Sequence, residues 1–376
     1  MRTAGLTACL LAAVVAFAPA AAAAGDDQLG SVLKRAQQLR DLQVTAEEEV
    51  ALGAAVSERV RERYGVVQDQ AVHRYVSLVG SLLAEKSRRP DITWHFIVLD
   101  TDGVNAFAAP GGFIHVTRGA LGLVANEAEL AGVLAHEMIH VTGKHAIKAI
   151  QKGKAIQLGA QETLTGNKAV FLRAVDSTTE VVMAGFGRSE EIESDREATK
   201  LTEAAGYDPH GLPTFLARIS ERNKAATEKQ GLFASHPEMK ERLEKIGRQI
   251  ESERMVASIT LEPRYHRHIT YEPKPQAEIA AVAEGTSGLT GGGKGEATKP
   301  KEDEGATEAP KKKGFGLARL LKPGGEEKKS AQVTGSGASR GVDTERGAKG
   351  GPVKTAVTVA LKAADIEAFR KEGNLR

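Results

Sequence analysis

Cysteine is almost missing from this sequence, with Cys9 the only one in 376 residues. A lone thiol makes no intramolecular disulfide and excludes centres built on several thiolates; if Cys9 is removed with the N-terminal segment described next, any metal must use nitrogen and oxygen ligands. Aromatic residues are scarce at 4%, which leaves few rings to stack on nucleobases and points to a core of Ala, Val, Leu and Ile. An excess of one charge sign is lacking too, because 51 Lys and Arg face 49 Asp and Glu. No global field draws the chain to nucleic acid, and no nucleic-acid partner is expected.

What is present begins with an export signal. Arg2, an apolar run from Leu6 to Ala18 and small residues up to Ala24 read as a secretory signal peptide over 1–24, with Ala22 and Ala24 in the small-x-small cleavage pattern. The alternative is a retained membrane anchor, but the run ends at Pro19 and is poor in large apolar residues. Leu6-Thr7-Ala8-Cys9 resembles a lipid-attachment box, yet the apolar run follows the cysteine where it should precede it. Cleavage then leaves a mature chain without cysteine and without a transmembrane span.

The remaining length suits one catalytic domain of about 200 to 250 residues with appendages. Thr45 and Glu48 form a capping box opening a helix through about Arg63, with Gly65 as its stop, and a second helix spans Asp69 to Lys86. Ile92 to Leu99, and Phe113 to Thr117 after the turn at Pro110-Gly111-Gly112, read as strands of one small sheet. Asn126 and Glu129 make another capping box, starting a helix that runs through His140 and frays near Gly143. Further helices are expected from Ser189 to Ala205, from Asp208-Pro209, and from a Ser235/Glu238 cap to about Glu253. The stretch from Gly153 to Gly187 shows no clear period. From Gly285 to Gly351 the chain is dominated by Gly, Lys, Glu, Ser, Thr and Ala and is expected to be disordered. Its apolar island Phe315 to Leu321 reads as passive linker, with peripheral membrane contact as the alternative. Val353 to Phe369 recovers a helical period. The expected organisation is a signal peptide over 1–24, a catalytic domain over 25–275, a disordered linker over 276–352 and a short C-terminal helix over 353–376. The fold class is α+β and predominantly helical, with a small β-sheet beside the helix described next.

That helix holds the chemistry. From Ala131 to Val141 it is apolar or small on every side except at His136, Glu137 and His140. Burying three polar groups unpaired would cost a few kcal/mol each, so something must satisfy them. Histidines at i and i+4 share one face and reach one zinc ion, while Glu137 stands about 100° around, placed to take a proton from a metal-activated water. The bland alternative is a chance five-residue match, which the well-capped apolar helix around it disfavours. A catalytic zinc needs a third protein ligand. The best donors lie in Glu190-Glu191-Ile192-Glu193-Ser194-Asp195, where Glu191 and Asp195 share a face; periodicity alone leaves open whether this run ligates or is a solvated acidic face.

Several motifs occur together and in order: Asn105-Ala-Phe-Ala-Ala-Pro-Gly-Gly-Phe-Ile-His-Val-Thr-Arg-Gly119, His136-Glu-Met-Ile-His-Val141, Glu191-Ile-Glu-Ser-Asp195, Gly206-Tyr-Asp-Pro209 and Ser235-His-Pro237. From Thr45 to Ile250 the chain thereby resembles the zincin-type gluzincin family of zinc metallopeptidases that includes the CAAX prenyl protease and HtpX, in particular its soluble, periplasmic BepA-like branch. The resemblance implies Glu191 as the third zinc ligand and Asp195 as the support of a zinc-ligating histidine. It also implies that the segment around Phe107 to Val116 is the strand that receives extended substrate by backbone pairing. His236 falls where the family places a histidine near the metal, to contact a developing oxyanion or occupy the open position at rest; a helix-capping neighbour is the alternative. His145 matches a common family position and reads as structural. Two departures stand out: the mature chain lacks the spans of the integral-membrane members, and it has a glycine-rich charged tail where BepA-like proteins continue into a helical repeat domain.

The implied activity is that of an exported zinc-dependent metalloendopeptidase with one Zn2+ per chain, acting in the periplasm or envelope on unfolded or misassembled polypeptides. Outer-membrane or envelope assembly machinery is its expected partner. The rival reading is a client-binding assembly factor or chaperone with a latched, rarely active zinc site, and a weaker one is an envelope scaffold anchored by the basic tail.

Overall fold

Thr45 opens helix α1 (Ala46–Tyr64) through the expected capping box: its hydroxyl accepts from Glu48 N at 3.2 Å, and Glu48 Oε2 accepts from Thr45 N at 3.0 Å. In the computed structural model of the protein, which describes residues 44–90, 92–152, 164–222, 239–275 and 354–376, this is the first of eleven helices among the described residues. The signal segment, the 276–352 stretch with its Phe315–Leu321 island, and the Ser235/Glu238 cap lie outside them. Asp69 caps α2 (Gln70–Lys86) by accepting from Ala71 N and Val72 N.

Strands β1 (His95–Leu99), β2 (Ala106–Ala109) and β3 (Phe113–Thr117) form one sheet in the order β1-β3-β2. β1 runs parallel to β3 with Ile97 opposite His115, and β2 runs antiparallel to it with Phe107 opposite His115. The strand expected from Ile92 begins three residues later, because β3 starts only at Phe113 and pairs it with His95. The segment around Phe107 to Val116 is two strands, folded back at Pro110–Gly112, where Gly111 and Gly112 take positive φ of 70° and 99°. A Cβ on Gly112 would stand 2.4 Å from Thr93 O. Propensity alone does not mark β2, because Ala-Phe-Ala-Ala has little of its own; pairing with β3 makes it a strand.

Side chains alternate across this sheet and split the core in two. Phe96, Val98, Ala106, Ala108, Ile114 and Val116 join the main cluster with α2 and α4 (Glu127–Thr142), while Ile97, Leu99, Phe107 and Ala109 face α1, α5 (His145–Lys152) and α6 (Lys168–Ala184). A six-residue helix α3 (Arg118–Leu123) links the sheet to α4. The capping box expected at α4 is half formed. Asn126 accepts from Glu129 N at 3.0 Å, but Glu129 Oε2 accepts from Ala125 N, and the carboxylate is taken by Arg218 Nη2 at 2.8 Å.

Helix α6 lies where no period was legible. Asn167 caps it and Gly185, at φ 84°, ends it. Its buried stripe is Ala174, Val175, Thr178, Thr179 and Val182, and the two threonines break the apolar pattern while remaining buried, Thr179 donating to Val175 O at 2.7 Å. Then follow α7 (Arg188–Ala204), closed by Gly206 at φ 95°, α8 (Gly211–Arg222), α9 (Met239–Ser252) and α10 (Glu262–His268). α4 is buried on nearly every side, against α7, α8, α2 and the sheet.

The C-terminus returns to this body. Residues 354–362 belong to no helix or strand, and the helix expected over Val353 to Phe369 is confined to α11 (Ala363–Glu372). Arg61 and Gln68 donate to Lys354 O and Thr355 O. Phe369 is buried with its ring 3.8 Å from Arg264 Cζ, and Arg264 Nη1 donates to Phe369 O at 2.7 Å. Leu375 is buried, and Arg376 N donates to Ala205 O just beyond α7.

Candidate metal centre

Three buried side chains from two packed helices converge. His136 and His140 stand one turn apart on α4, and Glu191 reaches them from α7. One ligand atom from each lies within 4.8 Å of the others. Glu191 straddles the pair, with Oε2 3.4 Å from His136 Nε2 and Oε1 3.4 Å from His140 Nε2, while the two Nε2 atoms are 3.1 Å apart. Asp195, one turn after Glu191, places Oδ1 3.0 Å from His136 Nδ1.

This arrangement fits a cation. The Asp195 carboxylate only accepts, so His136 Nδ1 holds a proton towards it and, in the neutral ring, His136 Nε2 is a lone pair. That lone pair points towards a carboxylate and a second imidazole nitrogen in a buried setting, and a shared cation would satisfy all three. Burial alone would push the His136 pKa down, but hydrogen bonds to Asp195 and Glu191 and their charges outweigh it and raise it to about 9. Two imidazoles and one carboxylate, with no sulfur, suit zinc, whose catalytic sites keep a fourth position for water.

Beneath the site lies a residue the sequence reading missed. Arg242 on α9 is fully buried; its Nε and Nη2 each donate to Asp195 at 2.7 Å, and its Nη1 lies 3.0 Å from Glu191 Oε2. Burial opposes the charge of Asp195, yet Arg242 holds that carboxyl below the usual range. The signal was present: α9 buries Met239, Arg242, Ile246 and Ile250, an apolar stripe in which one arginine has no reason to sit unless something acidic faces it.

Of the other site residues expected from the sequence, Glu137 is buried and lines a small depression with Leu212, Phe215 and Arg242. His145 is buried with its ring against that of His140. His236 lies outside the described residues.

Residues 70–250, which supply all of these groups, match the profile of Peptidase family M48. They are a peptidase family M48 domain. The M48 domain has the α+β architecture of a metalloprotease, with a small sheet beside the helix that carries His136 and His140. The chain is 26% identical over 209 residues to the Beta-barrel assembly-enhancing protease of Escherichia coli K12, covering 52% of this chain and 42% of that protein. It is 29% identical over 177 residues to the Mitochondrial metalloendopeptidase OMA1 of Schizosaccharomyces pombe, covering 46% and 51%. A third relative, Metalloprotease YcaL of Escherichia coli K12, is 27% identical over 163 residues, covering 42% of this chain and 63% of that protein. The chain therefore spans less than two thirds of each. Among the described residues no helix is long and apolar enough to cross a membrane.

Proposed function

We propose that this protein is an exported, zinc-dependent metalloendopeptidase that hydrolyses peptide bonds of unfolded or misassembled proteins in the periplasm or envelope. The observation that supports it most is the buried set of His136, His140 and Glu191, arranged around a point that a cation would fill. In this reading these three residues hold the zinc, which when bound polarises a carbonyl and acidifies water. Asp195 holds His136 through Nδ1, and Arg242 in turn holds Asp195 and Glu191. Glu137 takes a proton from the attacking water and returns it to the leaving nitrogen, so that the C–N bond breaks to a carboxylate and an amine. His236 contacts the developing oxyanion or occupies the open position at rest; a His236→Ala variant with unchanged turnover and zinc affinity would remove it from the site.

Recognition of extended chain is assigned to the β2 edge of the sheet. Ala108 on β2 and His140 line one depression, which supports an extended peptide pairing there by its backbone, a mode tolerant of sequence. The substrate class is supported by the likeness to the Beta-barrel assembly-enhancing protease of Escherichia coli and by the signal-like N-terminal segment. Envelope assembly machinery is the partner this reading implies. The test is to incubate the purified protein with one test protein in folded and in unfolded form, with and without chelator. Cleavage of the unfolded form alone, abolished by chelator and restored by zinc, is expected. Tight retention of the unfolded form without cleavage, in zinc-loaded protein, would instead favour a client-holding factor.

A further inference from the structure

Helix α4 ends in a turn that sends His145 back onto His140. Gly143 closes the helix by donating to Ile139 O, and Lys144 then takes φ 54°, the left-handed region that L-residues with a Cβ disfavour. Lys144 is held there by its amide on Val141 O and by its ammonium 3.1 Å from Glu49 Oε2. The space above Gly143 is filled by the His145 ring: a Cβ at Gly143 would lie 2.5 Å from His145 Nε2 and 2.9 Å from its Cδ2. A glycine chosen for room and a strained lysine thus serve one outcome, the placement of this imidazole.

The outcome is a contact between the two histidines on the side away from the other ligands. His145 Nδ1 lies 2.9 Å from His140 Nδ1, while His140 Nε2 points towards Glu191 and His136. One of the two Nδ1 atoms must donate. If Nε2 of His140 is to offer a lone pair to a metal, its proton belongs on Nδ1, and His145 Nδ1 must accept it. His145 then keeps its own proton on Nε2, which faces the Glu193 carboxylate at 3.7 Å. Phe186 stacks on His140, with ring centres 4.2 Å apart, and meets the His145 ring edge-on, so both imidazoles are fixed in orientation.

We propose that His145 is a positioning residue of the metal centre: it sets the tautomer and orientation of His140 as Asp195 does for His136. The two ligating histidines are then supported by different chemistry, a carboxylate on one side and a neutral imidazole backed by Glu193 on the other. This rests on the reading of His136, His140 and Glu191 as zinc ligands, and it replaces the structural role that the sequence suggested for His145.

The test is zinc affinity, measured on the full mature chain by competition with a chromophoric chelator at fixed pH, beside unfolding of the metal-free forms. His145→Leu keeps apolar bulk and removes the acceptor; it should weaken zinc binding by about 10–100-fold, the range typical of lost partners of metal ligands. His145→Asn puts an amide oxygen where Nδ1 was and should bind close to wild type. Gly143→Ala leaves every ligand intact but drives the His145 ring away, and should weaken zinc binding in the same direction, which keeps the test available if the leucine variant does not fold. A leucine variant that folds and binds zinc as tightly as wild type, or an asparagine variant as weak as leucine, would overturn the proposal while leaving the zinc reading standing. A wild-type chain that binds no zinc would overturn both.

Discussion

Replacing Arg242 with Met should be among the most damaging single changes available in the metal-free protein. Methionine retains much of the apolar stem, so the experiment isolates the guanidinium. That group is 1% exposed and makes two 2.7 Å hydrogen bonds to Asp195 and a 3.0 Å ion pair with Glu191. Removing one partner of a buried charge pair costs about 3–5 kcal/mol, because the remaining charges are left without compensation. Here two carboxylates are left with the site's histidines as their remaining partners, Asp195 at His136 Nδ1 and Glu191 at the two Nε2 atoms. Against a total stability on the order of 5–15 kcal/mol, this is a large fraction. The assay is urea unfolding of metal-free wild type, Arg242→Met, Asp195→Asn and the double variant. The double variant should cost less than the sum of the singles by roughly 1–3 kcal/mol, the signature of a shared contact. Zinc should recover part of the loss, since a cation at the site neutralises Glu191. A loss below about 1 kcal/mol for Arg242→Met, or strict additivity with Asp195→Asn, would refute the claim that this arginine braces the metal site.

Deleting residues 354–376 should destabilise the domain by about 3–6 kcal/mol, because Phe369 and Leu375 lose their burial at roughly 1.5–3 kcal/mol each; thermal unfolding reads it, and an unchanged midpoint would mean that the segment does not dock. Tyr75 and Tyr207 each donate to the buried Glu127 at 2.7 Å beside Arg264, so Tyr207→Phe should cost about 1.5–3 kcal/mol in urea unfolding, as expected for hydrogen bonds to a charged group. Burial works against the Glu49 carboxylate, but Arg89 and Lys144 hold its pKa below the usual 4.5. A depressed folded-state value means that its stabilisation is complete above about pH 4.5 and is lost as pH falls through the folded value. Glu49→Gln should therefore flatten the fall in stability below about pH 5, and an unaltered slope would contradict the assignment.

Much of this molecule was legible in the sequence because its signals are local. Thr45 with Glu48, Asp69 and Gly65 mark helix ends through single side chains or backbone angles, and each does so where expected. The pair His136 and His140 is likewise a matter of helical spacing. What local reasoning missed depends on distant partners. β2 is a strand only because β3 lies beside it, and the second half of the Asn126 capping box is lost because Arg218, 89 residues away, takes Glu129. α6 was hidden by threonines that its neighbours bury. Arg242 and Asp195 are 47 residues apart, and only the misplaced charge in an apolar stripe hinted at their meeting. Glu191 was one of two open choices by spacing; in the structure it, and not Asp195, faces both Nε2 atoms, while Asp195 faces His136 Nδ1.

The central claim is that a zinc ion held by His136, His140 and Glu191 works with Glu137 to cut peptide bonds. Its most direct test is cleavage of an unfolded test protein by the full mature chain and by Glu137→Gln, with zinc content read on both samples. The account predicts about one zinc per chain in each, cleavage by the wild type and none by the variant. Equal cleavage by the two, or wild-type cleavage that persists after zinc has been stripped, would contradict it.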